Sequence, residues 1–269
     1  MKHIAVIFSI LFACNTYSNE VTSPLTDDNS SATESFPLRY GISAVHSYVK
    51  DRTKLSNFRP ENGGDLPAGS SASVTFDRSE SRTEVYNLRG DMWVLPFLNF
   101  YMVGGYMEGE SSTLINFSNP FTGQSATLVS DEAYYGTNVG GGINLVYGID
   151  QWVFSLDLNY TQTNLNVVDS KIKSITVGPR LGYRMRLGNV PCSFSIGRIY
   201  QNIQQTLTIT EESAGAEETF VAKLDIEGEK PWNTVLSGVI DLGRHWQILT
   251  EIGFDDRESL VAQLTYRFE

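Results

Sequence analysis

Arg180, Arg184 and Arg186 lie within SITVGPRLGYRMR, and all three share one phase of a two-residue repeat. Side chains alternate across a strand, so in an extended chain these guanidinium groups share a face. The same phase logic joins Arg89 to Asp91. It also puts Asp157, Asp241, Glu251 and Arg267 on the polar side of their own runs. Two chemistries follow from such a face. Arginines along a water-filled path would favour anionic solutes. Cations and carboxylates enclosed in a narrow space would instead pair and fill it, because an unpaired charge in low dielectric is strongly unfavourable.

Acid–base chemistry has few candidates. The histidines are His3, His46 and His245. His46 is the one placed for general-base work, with Ser47 or a loop serine as a nucleophile of little specificity. The chain is therefore not expected to be an enzyme; a rim hydrolase using His46 is the alternative. The acidic runs EESAGAEE (211–218) and EGEKPWN (227–233) offer carboxylates to calcium, but their spacing matches no EF-hand loop, and they read as solvated loops. Gly140, Gly141 and Gly142 precede no helix signal, so they are not a phosphate loop; they read as positions that let strands bend or admit large neighbours. With only Cys14 and Cys192, a cysteine zinc cluster and a small disulfide scaffold are both excluded. No cofactor or metal is expected. The net charge of -11 argues against a nucleic-acid partner.

The elements that must position these groups read as strands. In QWVFSLDLNYT (151–161), Trp152, Phe154, Leu156, Leu158 and Tyr160 alternate with Ser155, Asp157, Asn159 and Thr161. HWQILTEIGF (245–254) and LVAQLTYRFE (260–269) show the same contrast. Alternation over about ten residues exceeds the usual globular strand and matches the length of a tilted bilayer crossing. Aromatic residues end the apolar stripes: Tyr135 with Tyr147, Trp152 with Tyr160, and Trp246 with Phe254. Tyr266 and Phe268 close the chain. Rings at the ends and aliphatics between them form a membrane girdle. A soluble core would more often place its largest rings centrally.

Short turns at 95–98, 148–151, 187–191 and 242–245 alternate with long polar stretches at 51–82, 117–132 and 205–231. The pattern predicts an all-β fold, an antiparallel up-and-down transmembrane β-barrel of about ten strands, with eight to twelve open. TLTIT and FVAKLDI, either side of EESAGAEE, would form a hairpin above the membrane. Residues 98–108 are apolar on both faces and leave their orientation open. Arg198 falls in phase with Phe194 and Ile196, and a bulge near Gly197 would move it inward. Before the barrel (36–269), residues 1–18 read as a signal peptide with cleavage after Ser18. Residues 19–35 read as a disordered polar leader. Lipidation of Cys14 is the competing reading.

The run Leu260–Phe268 resembles the C-terminal signal of bacterial outer-membrane β-barrel proteins, which usually ends on an aromatic; here Glu269 follows. DMWVLPFLNFY (91–101) and PWNTVLSGVIDLGRHWQILTEIGF (231–254) are similar to segments of uncharacterised Gram-negative barrels. The resemblance implies residence in the bacterial outer membrane among lipid and lipopolysaccharide. It also implies recognition of Leu260–Phe268 by the barrel-assembly machinery. It implies no solute. The functional expectation is a structural or narrow-channel, porin-like barrel with surface-exposed binding loops. A soluble lipocalin-like barrel, its apolar stripes turned inward, is the remaining alternative.

Overall fold

The computed structural model describes residues 38–60, 73–119, 124–166, 168–204, 206–212, 219–228, 231–255 and 257–269. Its twelve strands are β1 Tyr40–Pro60, β2 Ser73–Leu95, β3 Leu98–Asn119, β4 Gln124–Ile149, β5 Trp152–Leu165 and β6 Val168–Leu187. They continue with β7 Val190–Gln204, β8 Thr206–Glu212, β9 Thr219–Gly228, β10 Trp232–Leu242, β11 Trp246–Phe254 and β12 Glu258–Phe268. Ten of them close a ring. Each pairs antiparallel with its neighbour, β7 pairs with β10, and β12 returns to β1 from Tyr40↔Phe268 to Lys50↔Glu258. Closure satisfies every strand edge within the ring, which a β-structure in hydrocarbon requires.

The outward face is apolar. Ile42, Leu88, Met102, Val139, Ile196 and Leu264 are all exposed, while Ser43, Asn87, Asn144, Ser195 and Thr265 are buried. Leu181 lies outside, and Arg180 and Asp157 lie inside. The soluble lipocalin-like alternative, which needs the opposite polarity, is thereby excluded. Residues 98–108 also resolve: Asn99, Tyr101, Val103 and Met107 point in, and Phe100, Met102 and Tyr106 point out.

Turns sort the two ends. Pro96–Phe97, Asp150–Gln151, Gly188–Asn189 and Gly243–His245 join strands at one end, where both ends of the described chain also lie. Gly188 and Gly243 take positive φ of 64° and 72°, which a side chain would disfavour. At the other end the wall is uneven. β1 to β4 run 21 to 26 residues, whereas β11 and β12 have 9 and 11. The stretches read as long loops are largely strand: 51–60, 73–82, 117–119 and 124–132 extend β1 to β4. Their sequences alternate without an apolar stripe, so period alone does not mark them as strand.

The hairpin β8–β9 lies above the short wall. β9 pairs with β1 from Thr53↔Gly228 to Pro60↔Ala222, continuing upward where β12 stops at Lys50. β8 pairs with β9 and approaches β6. The hairpin thus takes the place of β10 to β12 in the upper tier.

Candidate functional site: the barrel interior and its rims

Small residues on one strand make room for long side chains from the next. A side chain at Gly142 would strike the Tyr101 ring, one at Gly41 the Asp91 carboxylate, and one at Gly197 the Arg180 side chain. The room beside the arginine wall is therefore occupied. Tyr101 crosses Gly142 and donates its hydroxyl to both Asp157 oxygens, at 2.7 and 3.1 Å. Asn159 Nδ2 donates to the same hydroxyl at 3.0 Å. The Arg89 guanidinium lies over the Tyr101 ring, 3.5 Å from its centroid. Arg89 Nη2 also reaches Asn99 Oδ1 at 3.5 Å.

A second bridge closes the seam between first and last strands. Gly41 pairs with Arg267 on one side and Asp91 on the other. With no side chain between them, Arg267 Nη1 reaches Asp91 Oδ1 at 3.1 Å, and Asn99 Nδ2 donates to that oxygen at 2.7 Å. The third bridge spans β7 and β10: Arg180 Nε and Nη2 both lie 3.0 Å from Glu251 Oε2. Ser237 Oγ donates to the same oxygen at 2.7 Å, and Arg180 Nη1 donates to the Gly178 carbonyl at 3.1 Å. The two side chains are 1% and 2% exposed.

Among the described buried residues the cations are Arg89, Arg180, Arg257 and Arg267, and the carboxylates are Asp51, Asp91, Asp157 and Glu251. The four charges of each sign cancel. Three predicted positions lie nearer the turn end. Arg184 is half-buried and donates to the Asp150 carbonyl at 3.0 Å. Asp241 accepts from Gln247 at 2.9 Å, and Arg186 is exposed. Sequence reasoning missed Tyr101, Asn99 and Arg257. Asn99 and Tyr101 share the phase of Asp91's partners, but the apolar run around them on both faces hid it. Arg257 sits in the β11–β12 connection, where alternation gives no direction; it is buried and donates to Gln201.

Of the predicted girdle, Tyr135, Tyr147, Trp152, Tyr160, Trp246, Phe254 and Tyr266 are exposed on the outer face. Phe268 stacks at 5.8 Å on Tyr40 and 6.2 Å on Tyr266. His245 stacks on Tyr266 at 5.6 Å, and its Nδ1 lies 2.8 Å from the Arg267 carbonyl. β7 keeps register with β10 throughout, so no bulge at Gly197 turns Arg198 inward. Arg198 therefore faces outward, its guanidinium 5.5 Å from the Trp232 ring centre, beside the pair formed by Tyr200 and Trp232.

His46 also faces outward. Its Nε2 lies 3.3 Å from Glu84 Oε2, its ring stacks on Tyr86 at 4.9 Å, and the Tyr86 hydroxyl donates to that carboxylate at 2.6 Å. Ser47 is buried on the inner face. Adjacent strand positions point oppositely, so a His46–Ser47 pair cannot form.

No family model and no curated protein matches the chain. Solved barrels align with it. The Pseudomonas aeruginosa outer membrane protein OprG is 11% identical, with 86% of this chain and 98% of that one covered at a TM-score of 0.42. The β domain of the Bordetella autotransporter BrkA is 11% identical over 84% and 98%, at 0.40. The Ralstonia pickettii toluene transporter TbuX is 8% identical over 87% and 90%, at 0.38. The architecture described above rests on this chain's own pairing and polarity.

Proposed function

We propose that this chain is an integral barrel of the bacterial outer membrane, closed to ions, whose role lies in its exposed rim rather than in ionic conduction. The observation that carries this reading is the neutralised interior. Four buried cations and four buried carboxylates, with Arg180 on Glu251, Arg267 on Asp91 and Arg89 over the Tyr101 ring along the inner wall, offset one another among the described buried residues. A ten-stranded ring is little wider than the eight-stranded size that side chains fill. The outer face supports the membrane reading. Trp152 to Tyr160 and Tyr147 to Tyr135 run about 26 and 40 Å along their strands at ~3.3 Å per residue. A tilt of about 40° projects these to roughly 20–30 Å, bracketing an apolar band of about 25 Å.

Lipid and lipopolysaccharide would contact the aromatic rows, with the outward Lys50 and Arg82 above them. The barrel-assembly machinery would recognise Leu260–Phe268. The upward extensions of β1 to β4 and the β8–β9 hairpin would form the binding platform. Residues 1–18 as signal peptide, 19–35 as leader and the lipidation of Cys14 belong to the same proposal and lie outside the described residues. His46 serves in it as an interfacial anchor, not a catalyst.

Planar-bilayer recording tests the closure. The wild type is expected to carry no steady current. A current proportional to voltage, with an anion preference lost in Arg180→Ala, would overturn it.

A further inference from the structure

β4 is held on both sides along only part of its length. It pairs with β3 from Asn119↔Gln124 to Leu98↔Leu145, whereas its pairing with β5 begins at Gly136↔Leu165. Among the described residues, the stretch from Gln124 to Tyr135 therefore has β3 on one side and no strand on the other. Asn166 ends the shared ladder. Its N–H donates to the Tyr135 carbonyl at 3.0 Å, and the Tyr135 N–H donates to Asn166 Oδ1 at 2.8 Å.

These two bonds set the direction of the main chain beyond them. In an antiparallel ladder, both main-chain groups of one residue point to the same neighbour, and those of the next residue point to the other. The β3–β4 register is unbroken, so Ala133, Asp131, Val129, Thr127 and Ser125 follow Tyr135 and turn N–H and C=O to the open side. An edge of this kind is a template for one more strand, and extended peptides bind by such addition. Residues 124–133 span about 33 Å at ~3.3 Å per residue, room for a segment of about ten residues.

The edge also has a sign. Glu108 and Glu110 of β3 and Asp131 of β4 are exposed, in the rows Glu108↔Tyr135, Glu110↔Ala133 and Ser112↔Asp131. Neither 108–119 nor 124–135 holds a lysine or arginine. Arg82 of β2 pairs with Glu110 on the side away from the edge. Charge complementarity therefore selects a cationic segment. Strand β8 of a second copy, TLTITEE, would instead bring Glu211 and Glu212 to these carboxylates.

We propose that the open edge of β4, from Ser125 to Ala133, adds an extended, lysine- or arginine-bearing segment of a partner protein as an antiparallel strand. The proposal rests on the reading of the rim as the working part of the molecule and names its class of partner. The segment runs in the direction of β3. The residue opposite Asp131 shares its outer face and turns its own N–H and C=O to β4.

The probe is a fluorescein-labelled decapeptide alternating lysine and threonine. It is titrated with the whole chain, folded in detergent micelles, and read by fluorescence anisotropy. The same peptide N-methylated at its lysines, which lacks the donors that face β4, is expected to bind about tenfold more weakly or worse. Ala133→Pro and Thr127→Pro each remove a donor from the open side, where a sheet edge tolerates proline, and should weaken binding alike. Glu110→Gln/Asp131→Asn should weaken it several-fold, and so should added salt. The mobility difference between unboiled and boiled samples verifies folding of each variant. Equal affinity for the N-methylated peptide, or undiminished binding by both proline variants, would overturn strand addition. Self-association of the wild type that Ala133→Pro abolishes would overturn the cationic partner in favour of a second copy. Absence of peptide binding would overturn the docking edge and leave the closed barrel standing. A steady current in planar-bilayer recording would overturn the closed barrel and leave the edge standing.

Discussion

At the scale of single residues, the interior works by exchange between neighbours: a glycine yields its space and a long polar side chain takes it. Arg180 and Glu251 show what depends on this. Both are buried, so removing one leaves the other as an uncompensated charge, with an expected loss of about 3–5 kcal/mol. Glu251→Ala should therefore lower the urea midpoint of the folded band on a semi-native gel far more than the double variant Arg180→Met/Glu251→Leu. If the double variant lost as much as the single, the bridge would matter for its shape and not its charge. Gly142→Val tests the other half of the exchange. It would push Tyr101 off Gly142 and away from Asp157, and overpacking of this kind costs about 1–3 kcal/mol. The same gel measures it, with Gly104→Val as control, since a side chain there meets only a carbonyl at 3.8 Å.

Among elements, the ring and the hairpin are separable. β12 closes onto β1 over Tyr40 to Lys50 without help from β8 or β9. Replacing 206–228 by a short Gly–Ser linker should thus leave a heat-modifiable barrel; an unfolded product would mean that the hairpin completes the wall rather than capping it. The pairing of β1 with β2 towards the long-wall end has a mild acid sensitivity. Lys50 Nζ lies 3.0 Å from Glu80 Oε1, and the hydrogen bond from Lys50 holds the Glu80 carboxyl below the ordinary glutamate value. A depressed carboxyl stabilises the fold fully above its unfolded value and loses that contribution as pH falls through the folded one. The side chain is 37% exposed, so screening keeps the effect small. This contrast between tiers also explains what the sequence could tell. β5, β6, β10, β11 and β12 declare themselves because an apolar outer face against a polar interior maximises alternation. In the upper parts of β1 to β4, KDRTKL and SESRTE offer no apolar stripe and read as loop. The charged residues of the interior were legible as a face. Their partners were not, because Arg180–Glu251 crosses two intervening strands and periodicity within one strand says nothing of register between several.

The whole molecule is a closed sheet, and a closed sheet has one seam that local pairing cannot complete: the last strand must find the first. Here the seam carries more than backbone bonds. Outside, Tyr40, Tyr266 and Phe268 stack across it. Inside, Ser43 Oγ lies 2.8 Å from Thr265 Oγ1, and Arg267 reaches over Gly41 to Asp91 on the next strand. The bridge ties three strands rather than two, so β12 can lock only when β1 and β2 already stand in register. The charge content of the interior sharpens this requirement. With cations and carboxylates balanced inside, reversing one of them leaves two like charges facing each other in low dielectric. Arg267→Glu should accordingly raise the fraction of unfolded-mobility protein during refolding into detergent micelles. Asp91→Arg/Arg267→Glu, which restores opposite signs, should recover part of the loss. Arg244→Glu is the matching control: Arg244 also meets a carboxylate at the same end, Glu269 at 3.7 Å, but it is 77% exposed, and its reversal should shift stability by no more than about 0.5 kcal/mol. If Arg267→Glu folded as readily as Arg244→Glu, the seam would be held by backbone pairing and aromatic stacking alone.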